Sequence, residues 1–323
     1  MKILVCGGAG YIGSHTAKNL LREGYEVVVF DNLSSGSPEL FVGGELIRAD
    51  LNDREALRQA FRAYAFEAVL HFASLIQVGE SYRDPQKYYL QNLLTSLNLL
   101  EAMLEAGVGR LIFSSSAAVY GVPEITPIPE THPLNPANPY GRTKLFIEQI
   151  LGDYGAAYGL KFISLRYFNA AGADPEGRLG EMHVPETHLI PNALLTALGR
   201  RDSLDLYGND FPTPDGTAVR DYIHVTDLAA AHVLALKRLL AQPESDVINL
   251  GTNQGHSVLQ VIRAVEAVTG QRVAYEIKPR RQGDVPVLLA SREKAARVLG
   301  WELHHSGLEE IIRTAWLWHK SRA

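Results

Sequence analysis

A tyrosine and a lysine four residues apart, Tyr140 and Lys144, form the pattern most suggestive of chemistry in this 323-residue sequence. Pro139 suits the first turn of a helix, so both side chains are expected on one helical face. Three serines, Ser114–Ser116, follow an apolar run typical of a buried strand. A lysine ammonium favours a neighbouring phenolate, and the hydroxyl of Ser116 can hydrogen-bond a reacting oxygen. Together these side chains could oxidise an alcohol, with the tyrosine as base.

A glycine-rich segment near the N-terminus, Gly8–Gly13, matches the GxGxxG pattern of dinucleotide-binding loops. It lies between an apolar run, Ile3–Cys6, and a helical pattern, Ile12–Glu23, so a pyrophosphate could approach the backbone at a helix N-terminus. Asp31 ends the second predicted strand, where a carboxylate can accept hydrogen bonds from the adenosine ribose and repels a 2′-phosphate. The sequence therefore predicts NAD rather than NADP; the alternative is a glycine-rich turn with a solvent-facing aspartate.

The elements that must position these residues alternate between strand and helix over the first 170 residues. The predicted strands are Ile3–Cys6, Glu26–Phe30, Leu46–Ala49, Ala68–Phe72, Arg110–Ser114 and Phe162–Tyr167. The predicted helices are Ile12–Glu23, Arg54–Ala63, Tyr88–Glu105 and Tyr140–Tyr158. This alternation predicts an α/β fold: a Rossmann-type doubly wound parallel sheet with a smaller C-terminal α/β substrate lobe.

The pattern changes after about residue 170, where proline and glycine become more frequent. Helical patterns follow at Ile190–Leu198, Val225–Leu240, Val258–Thr269 and Leu308–His319, with strand-like runs at Val247–Leu250 and Val273–Ile277. We expect residues 1–170 to form the NAD-binding domain, with a later segment, about 220–240, packing back on it. Residues 171–323 are expected to form mainly the substrate lobe.

Composition excludes several classes of protein. The net charge of −5 gives no general attraction for nucleic acid or anionic lipid. One cysteine rules out an intrachain disulfide, and no apolar run approaches a membrane span, so we expect a cytoplasmic protein. Two pairs of histidines lie close in sequence: His304 with His305, and His183 with His188, which have Pro185 between them. Neither pair has the spacing of a metal-ligand pair, so no metal site is expected.

Several longer strings resemble the extended short-chain dehydrogenase/reductase family, and most closely its UDP-sugar epimerases. The strings are GGAGYIGSH at 7–15, FSSSAAVYG at 113–121, NPYGRTK at 138–144, LRYFN at 165–169, VRDYIHV at 219–225 and RRQGD at 280–284. They span nearly the whole chain. The resemblance implies an NAD-dependent isomerase that interconverts UDP-galactose and UDP-glucose, with a homodimer as its expected assembly.

The resemblance also implies a mechanism. Tyr140 takes the C4 hydroxyl proton while hydride passes to bound NAD, the 4-keto sugar turns over, and hydride returns to the opposite face. Ser116 assists the proton transfer, and Lys144 tunes the tyrosine and binds the nicotinamide ribose. Family dehydratases carry an Asp-Glu pair after this serine position. Here Ala117 and Ala118 follow, so elimination of water is not expected.

Two sets of binding residues follow from the same resemblance. The cofactor set is Gly7, Gly10, Tyr11, Ile12, Gly13, Asp31, Asn32, Ser35, Gly36, Asp50, Leu51, Phe72, Ala73, Ser74, Asn92, Ser114, Tyr140, Lys144, Tyr167 and Phe168. The UDP-sugar set is Ser116, Tyr140, Asn169, His188, Leu189, Asp205, Leu206, Tyr207, Arg220, Arg281, Asp284 and Leu288. Arg220 and Arg281 are expected on the pyrophosphate, because a guanidinium can bind two oxygens at once. Tyr207 could stack on uracil.

Three positions depart from the family pattern. Ile76 replaces a lysine that touches the cofactor in many members, and His188 stands where some members have an asparagine near the sugar phosphate. Leu288 occupies the position that limits sugar size, and its intermediate bulk predicts at most slow turnover of UDP-GalNAc. The alternatives are an epimerase of UDP-pentoses or UDP-N-acetylhexosamines and a non-catalytic NAD-binding regulator.

Overall fold

The structure is a computed structural model and describes residues 1–281 and 283–322. Gln282, within one of the family-like strings, lies outside the described residues. The strands, in chain order, are β1 (Lys2–Cys6), β2 (Glu26–Asp31), β3 (Glu45–Arg48), β4 (Phe66–His71), β5 (Arg110–Ser114), β6 (Lys161–Arg166), β7 (Asn169–Ala171), β8 (Leu204–Tyr207), β9 (Val219–Arg220), β10 (Tyr222–His224), β11 (Asp246–Asn249), β12 (His256–Ser257), β13 (Tyr275–Lys278) and β14 (Val287–Leu288).

Helices connect most of these strands. They are α1 (Tyr11–Arg22), α2 (Arg54–Ala63), α3 (Val78–Arg83), α4 (Pro85–Tyr88), α5 (Thr95–Ala106), α6 (Pro139–Tyr158), α7 (Leu189–Ala197), α8 (Val225–Ala241), α9 (Val258–Thr269), α10 (Glu293–Leu299) and α11 (Leu308–Lys320). Among the described residues, none of these helices has both the length and the hydrophobicity needed to cross a membrane.

Seven strands form one parallel sheet in the order β11-β6-β5-β4-β1-β2-β3. Helices α1, α8 and α10 pack on one face around a core that includes Val5, Leu20 and Leu236. Helices α2, α5 and α6 cover the other face around Leu4 and Leu99. Because both faces are buried, the central strands are apolar along their whole length. The predicted α/β doubly wound fold is confirmed.

The edge strand β11 comes from the chain beyond residue 170. Its residues pair in parallel with β6, so that Ile248 lies beside Leu165. The helix α8 also lies beyond that residue, and it packs on α1 and on the sheet. A sequence window identifies a strand but not its neighbour in a sheet, so the sheet position of β11 was not predicted.

A second core lies among α7, α9 and α11. It includes Leu194, Leu206, Val265 and Ile312, and the parallel pair β8 and β13 lies against it. Three short strands from the same part of the chain form a separate sheet in the order β12-β9-β14. The division at residue 170 into a NAD-binding domain and a substrate lobe stays a proposal.

The predicted helix Tyr88–Glu105 is not continuous. A π-helical turn, Tyr89–Leu94, separates α4 from α5. The turn buries Asn92, whose amide exchanges hydrogen bonds with Leu75 and donates to the Thr143 hydroxyl at 3.0 Å. Widened turns of this kind often occur at functional sites. The apolar spacing of one π turn is too close to that of an α-helix for sequence periodicity to reveal it.

Candidate active site

The three serines lie at the carboxyl end of β5, near the middle of the parallel sheet. All three are buried, and each has a different partner. Ser114 Oγ lies 2.5 Å from the hydroxyl of Tyr167, and Ser115 Oγ donates to the carboxylate of Glu148 at 2.5 Å. Ser116 Oγ accepts the Ala118 N–H at 3.1 Å and so begins the short 3₁₀ turn of residues 117–120. These contacts therefore fix the positions of the three serine side chains.

Tyr140 and Lys144 lie on the first turns of α6, as predicted. Asn138 caps this helix by accepting the Gly141 N–H at 2.8 Å, and Pro139 is its first residue. Lys144 Nζ lies 5.9 Å from the centroid of the Tyr140 ring and donates a hydrogen bond to the Ser114 carbonyl oxygen at 2.9 Å. The helix start and the serine segment thus form one site.

Burial controls the electrostatics of this site. It raises the pKa of the Tyr140 phenol, and the hydrogen bond with Ser116 acts in the opposite direction. Burial also lowers the pKa of Lys144 to about 7, against the charge of Glu148, which raises it. Loss of solvation on burial is thus the largest effect on the pKa of both groups.

A buried ion pair behind the serines was not predicted. The Glu148 carboxylate accepts hydrogen bonds from the Arg166 guanidinium, one of them at 2.9 Å. The same guanidinium donates to the Tyr120 hydroxyl at 2.9 Å, which in turn donates to Asn249 at 2.7 Å. This network links α6, β6 and β11. The available sequence signal was a glutamate four residues after Lys144 and therefore on the same helix face, next to the apolar residues Leu145 and Leu151.

The glycine loop has the close packing that a dinucleotide site requires. Gly7 has a φ of +78°, and a Cβ at Gly13 would lie 2.1 Å from the carbonyl oxygen of Gly7. Helix α1 begins directly after Gly10, without a side-chain cap or an acidic residue in its first turn. Its first N–H groups are therefore suited to an anion such as a pyrophosphate. Tyr11 is turned inward, and its hydroxyl donates to the Gly172 carbonyl oxygen at 2.6 Å.

Asp31 lies at the end of β2, beside the glycine loop. Its carboxylate accepts the Ala9 N–H at 2.9 Å and the Leu33 N–H at 2.8 Å. The side chain therefore holds the loop in shape, a role that the sequence did not indicate. Each carboxylate oxygen can accept more than one hydrogen bond, so binding of a ribose hydroxyl is compatible with these contacts.

The other predicted cofactor residues follow the ends of parallel strands, which meet at one edge of the sheet. They are Asn32, Ser35 and Gly36 after β2, Asp50 and Leu51 after β3, Phe72, Ala73 and Ser74 after β4, and Tyr167 and Phe168 after β6. Three of them already have partners within the protein. The Leu51 side chain is buried in the core, so only its backbone is available to a ligand, and Asn32 donates to Asp50 at 2.6 Å. The side chain of Ile12 is partly buried against the core beneath α1 and α8.

Five of the predicted UDP-sugar residues meet in one place. Arg220 lies 3.5 Å from Asp284, and Arg281 donates to the other oxygen of that carboxylate at 3.1 Å. The Arg281 guanidinium lies 5.0 Å from the centroid of the Tyr207 ring. Leu288 pairs with Arg220 across β14 and β9. Two cations, one aromatic ring and one carboxylate thus form a cluster suited to an anionic ligand.

The remaining predicted UDP-sugar residues have other surroundings. Leu206 is buried in the second core, and Asp205 is close to Arg201 and Lys278. The amide of Asn169 donates to the Asp221 carbonyl oxygen at 2.8 Å. His188 ends the segment before Leu189, the first residue of α7, and its ring points at the buried carboxylate of Glu181. That these residues bind the UDP-sugar stays a prediction.

The imidazoles of His183 and His188 are close together despite their spacing in sequence. Both direct Nδ1 at the carboxylate of Glu181, and their ring centroids are 5.3 Å apart. The loop between them brings the two rings together. The prediction from spacing that His183 and His188 do not form a pair was therefore wrong.

Comparison with known proteins agrees with this geometry. Residues 3–251 match the model of the NAD dependent epimerase/dehydratase family. The UDP-glucose 4-epimerase of Rhizobium meliloti is 49% identical over 320 residues, covering 99% of this chain and 97% of that protein. The UDP-glucose 4-epimerase of Bacillus subtilis is 49% identical over 332 residues, with 99% and 97% covered.

Solved structures give the same result. A UDP-glucose 4-epimerase of Brucella ovis in complex with NAD superposes with a TM-score of 0.95 at 49% identity, covering 98% of this chain and 97% of that one. An enzyme of the same name from Bifidobacterium longum, in complex with NAD+ and UDP, has a TM-score of 0.95 at 40% identity, with 99% and 98% covered. The relationship predicted from the motifs is confirmed: the chain belongs to the NAD dependent epimerase/dehydratase family.

Proposed function

We propose that this chain is an NAD-dependent isomerase that interconverts UDP-galactose and UDP-glucose by inverting C4 of the hexose. The observation that carries the proposal is the meeting of Ser116, Tyr140 and Lys144 at the carboxyl end of β5. That constellation lies on the sheet edge that also holds the glycine loop. Relatives with this activity match over nearly the whole chain.

The residues of the loop fit NAD. A side chain at Gly13 would collide with the Gly7 carbonyl oxygen, so the loop is tightly packed. Such a glycine loop allows a pyrophosphate to approach the backbone. Asp31 is positioned to favour a free ribose 2′-hydroxyl over a 2′-phosphate. Bound NAD would supply a reversible hydride acceptor, so that C4 of the sugar could be oxidised to the 4-keto sugar and reduced again on the opposite face with no net consumption of the cofactor.

Side chains of the protein carry out the proton transfer in this reaction. Tyr140 is proposed to remove the proton of the C4 hydroxyl and later to return it, with the Ser116 hydroxyl as its hydrogen-bond partner. Lys144 is held beside the ring by the Ser114 carbonyl, where an ammonium stabilises the phenolate. A phenol whose pKa is raised by burial must be activated in this way to act near neutral pH.

The residues after Ser116 argue against a dehydratase. Ala117 is buried and Ala118 is half-buried, and neither can give or take a proton. Elimination of water from the sugar would need an acid and a base at this point. Retention of the whole Ser116, Tyr140 and Lys144 set also favours an enzyme over a non-catalytic NAD-binding regulator, which would not need it.

We further propose that Arg220 and Arg281 bind the UDP pyrophosphate. Asp284 holds both guanidinium groups, at 3.5 Å from Arg220 and 3.1 Å from Arg281. A pair of cations fixed by one carboxylate keeps a net positive charge for the diphosphate. The ring of Tyr207, beside Arg281, is the proposed platform for uracil.

A cytoplasmic homodimer is proposed as the working form. The single cysteine, Cys6, is buried and suits a reducing compartment. Large apolar side chains are exposed on the helical region around α5 and α6: Leu90, Leu94, Leu97, Leu104 and Phe146. Such a surface suits a helical interface between two copies. Light scattering coupled to size exclusion tests it, because a monomer at micromolar concentration would contradict the proposal.

The function is tested by adding UDP-galactose to the purified protein without NAD and measuring UDP-glucose. Formation of UDP-glucose is expected, since the cofactor is retained through each cycle. Repeating the assay with UDP-GalNAc and UDP-arabinose then distinguishes the related epimerases. Failure to form UDP-glucose even with NAD added, while another UDP-sugar is epimerised, would contradict the proposed substrate.

A further inference from the structure

Four potential metal ligands meet on the segment that leads into α7. They are Glu181, His183, Glu186 and His188, and one ligand atom from each lies within 4.8 Å of all the others. Glu181 is the inner member, with a side chain only 4% exposed. Its Oε1 faces Nδ1 of both imidazoles, at 2.8 Å from His183. The segment lies apart from Tyr140 and the serines in the chain, but one of its members, His188, also belongs to the predicted UDP-sugar set.

The chemistry of these side chains suits one particular class of ion. Two imidazole nitrogens and two carboxylates form a mixed nitrogen and oxygen set, which zinc accepts in tetrahedral sites. Two carboxylates with two neutral imidazoles carry a charge of about −2, which matches a divalent cation. We propose that Glu181, His183, Glu186 and His188 form a Zn²⁺ site.

The spacing of the ligand atoms is close to what zinc requires. Tetrahedral bonds of about 2.0–2.1 Å place neighbouring ligand atoms roughly 3.3 Å apart. The distance from Glu181 to His183 is 2.8 Å, and that from His188 to Glu186 is 3.6 Å. The four ligand atoms all lie within 4.8 Å of one another, and side-chain rotations would bring them around one ion. The same groups share protons through hydrogen bonds when no ion is bound.

Contacts around the cluster hold its backbone in place, as the outer contacts of metal sites commonly do. Trp318 Nε1 donates to the Glu181 carbonyl oxygen at 3.0 Å, from the C-terminal helix α11. Asn192 Nδ2 donates to the His188 carbonyl oxygen at 2.9 Å, from α7. The Glu186 carboxylate also accepts the His188 N–H at 2.8 Å. The backbone of the ligand segment is thus held in place before an ion arrives.

The cluster is open on one side. The side chain of His188 is 40% exposed and that of His183 is 19% exposed, so an ion can enter from solvent. Inward, the His183 ring meets the Tyr11 ring edge-on, with centroids 6.3 Å apart. Tyr11 begins the helix of the glycine loop, and His188 immediately precedes α7. A bound ion would therefore brace the junction between the loop helix and α7.

The test is a direct measurement of zinc binding to the NAD-containing protein after treatment with a chelator. Titration with ZnCl₂ against a competing chelating dye, followed by elemental analysis of the desalted protein, is expected to give about one zinc ion per chain. Binding should release protons and tighten as pH rises, because the imidazole Nδ1 atoms must lose their protons. Zinc should also raise the melting temperature, since it binds the folded state.

Matched variants locate the ion. His183→Gln and Glu181→Gln keep the size of each side chain, and each should weaken zinc binding at least about tenfold. His304→Gln replaces an exposed histidine elsewhere and should bind like the wild type. No zinc bound by the wild-type protein at micromolar concentration would overturn the proposal. Equal binding by wild type, His183→Gln and Glu181→Gln would overturn it too, because the ion would then lie elsewhere.

Discussion

Lys144 and Glu148, one turn apart on α6, hold two consecutive residues of the serine segment. Lys144 Nζ donates to the Ser114 carbonyl oxygen at 2.9 Å, and the Glu148 carboxylate accepts the Ser115 hydroxyl at 2.5 Å. One helix face thus fixes the backbone just before Ser116. The same helix carries Tyr140, so the proposed base and its serine partner are positioned by a single rigid element.

Replacing Tyr140 with phenylalanine should abolish the proposed proton transfer while leaving the fold intact. We expect kcat to fall by at least about 100-fold, the usual scale of general acid–base assistance. Retained NAD, measured from the denatured protein, should be unchanged, since the ring remains in place. Turnover within a few-fold of the wild type would remove Tyr140 from its proposed role.

The charge of Glu148 should set the alkaline limb of the pH profile. The pKa of Lys144 is about 7, lowered by burial and raised by Glu148. Lys144 is a cation below its pKa and neutral above it, so activity that needs the ammonium is lost as pH rises through that value. Glu148→Gln removes the charge that raises the pKa, and the alkaline limb of kcat should move to lower pH.

This prediction needs a control, because Glu148 also pairs with buried Arg166. Removing one partner of a buried ion pair costs about 3–5 kcal/mol of stability, so the melting temperature must be measured alongside activity. Glu105→Gln neutralises an exposed carboxylate that pairs with Arg58 and should leave the profile unmoved. A Glu148→Gln enzyme that is folded and keeps the wild-type limb would contradict the assignment to Lys144.

Asp31→Asn should weaken the preference for NAD over NADP. The amide is neutral, so it loses the repulsion of a 2′-phosphate and also weakens the hold on the Ala9 N–H. We expect NAD affinity to fall about tenfold, or ~1.4 kcal/mol, the scale of one hydrogen bond to a charged group. Titration of stripped protein with both cofactors measures it. Asp53→Asn, which alters only the cap of α2, is the matched control.

Leu288 should limit the sugar range. It is half-buried on β14 and packs beside the apolar cluster that contains Ala117 and Leu145. Wild-type kcat/KM should be much lower for UDP-GalNAc than for UDP-galactose, and Leu288→Ser should narrow the gap about tenfold. Val287→Ser, on the opposite face of the same strand, should not. Equal kcat/KM of the wild type for the two sugars would show that Leu288 does not restrict the pocket.

Local features of the site could be predicted from the sequence. The glycine loop, Asp31 and the start of α6 each depend on a few neighbouring residues, and strand periodicity places them at strand ends. The family strings then connected Tyr140 with Ser116, which are 24 residues apart (140 − 116). These predictions needed no knowledge of how distant segments meet.

Features that depend on distant contacts could not be predicted. Glu148 and Arg166 interact only because α6 and β6 are packed together, and each alone resembles a surface charge. The π turn at Asn92 follows the apolar spacing of an ordinary helix. His183 and His188 meet through the conformation of a short loop. In each case the sequence supplies the residue type but not its partner.

In the proposed reaction, C4 is oxidised and then reduced again with the same hydride. UDP-galactose carrying deuterium at C4 tests this directly, with product analysed by NMR and mass spectrometry. We expect UDP-glucose that keeps its deuterium at C4, with none released to water, because hydride never leaves the site. UDP-glucose with hydrogen at C4, and deuterium in the solvent, would contradict it, since that outcome requires removal of C4 hydrogen as a proton.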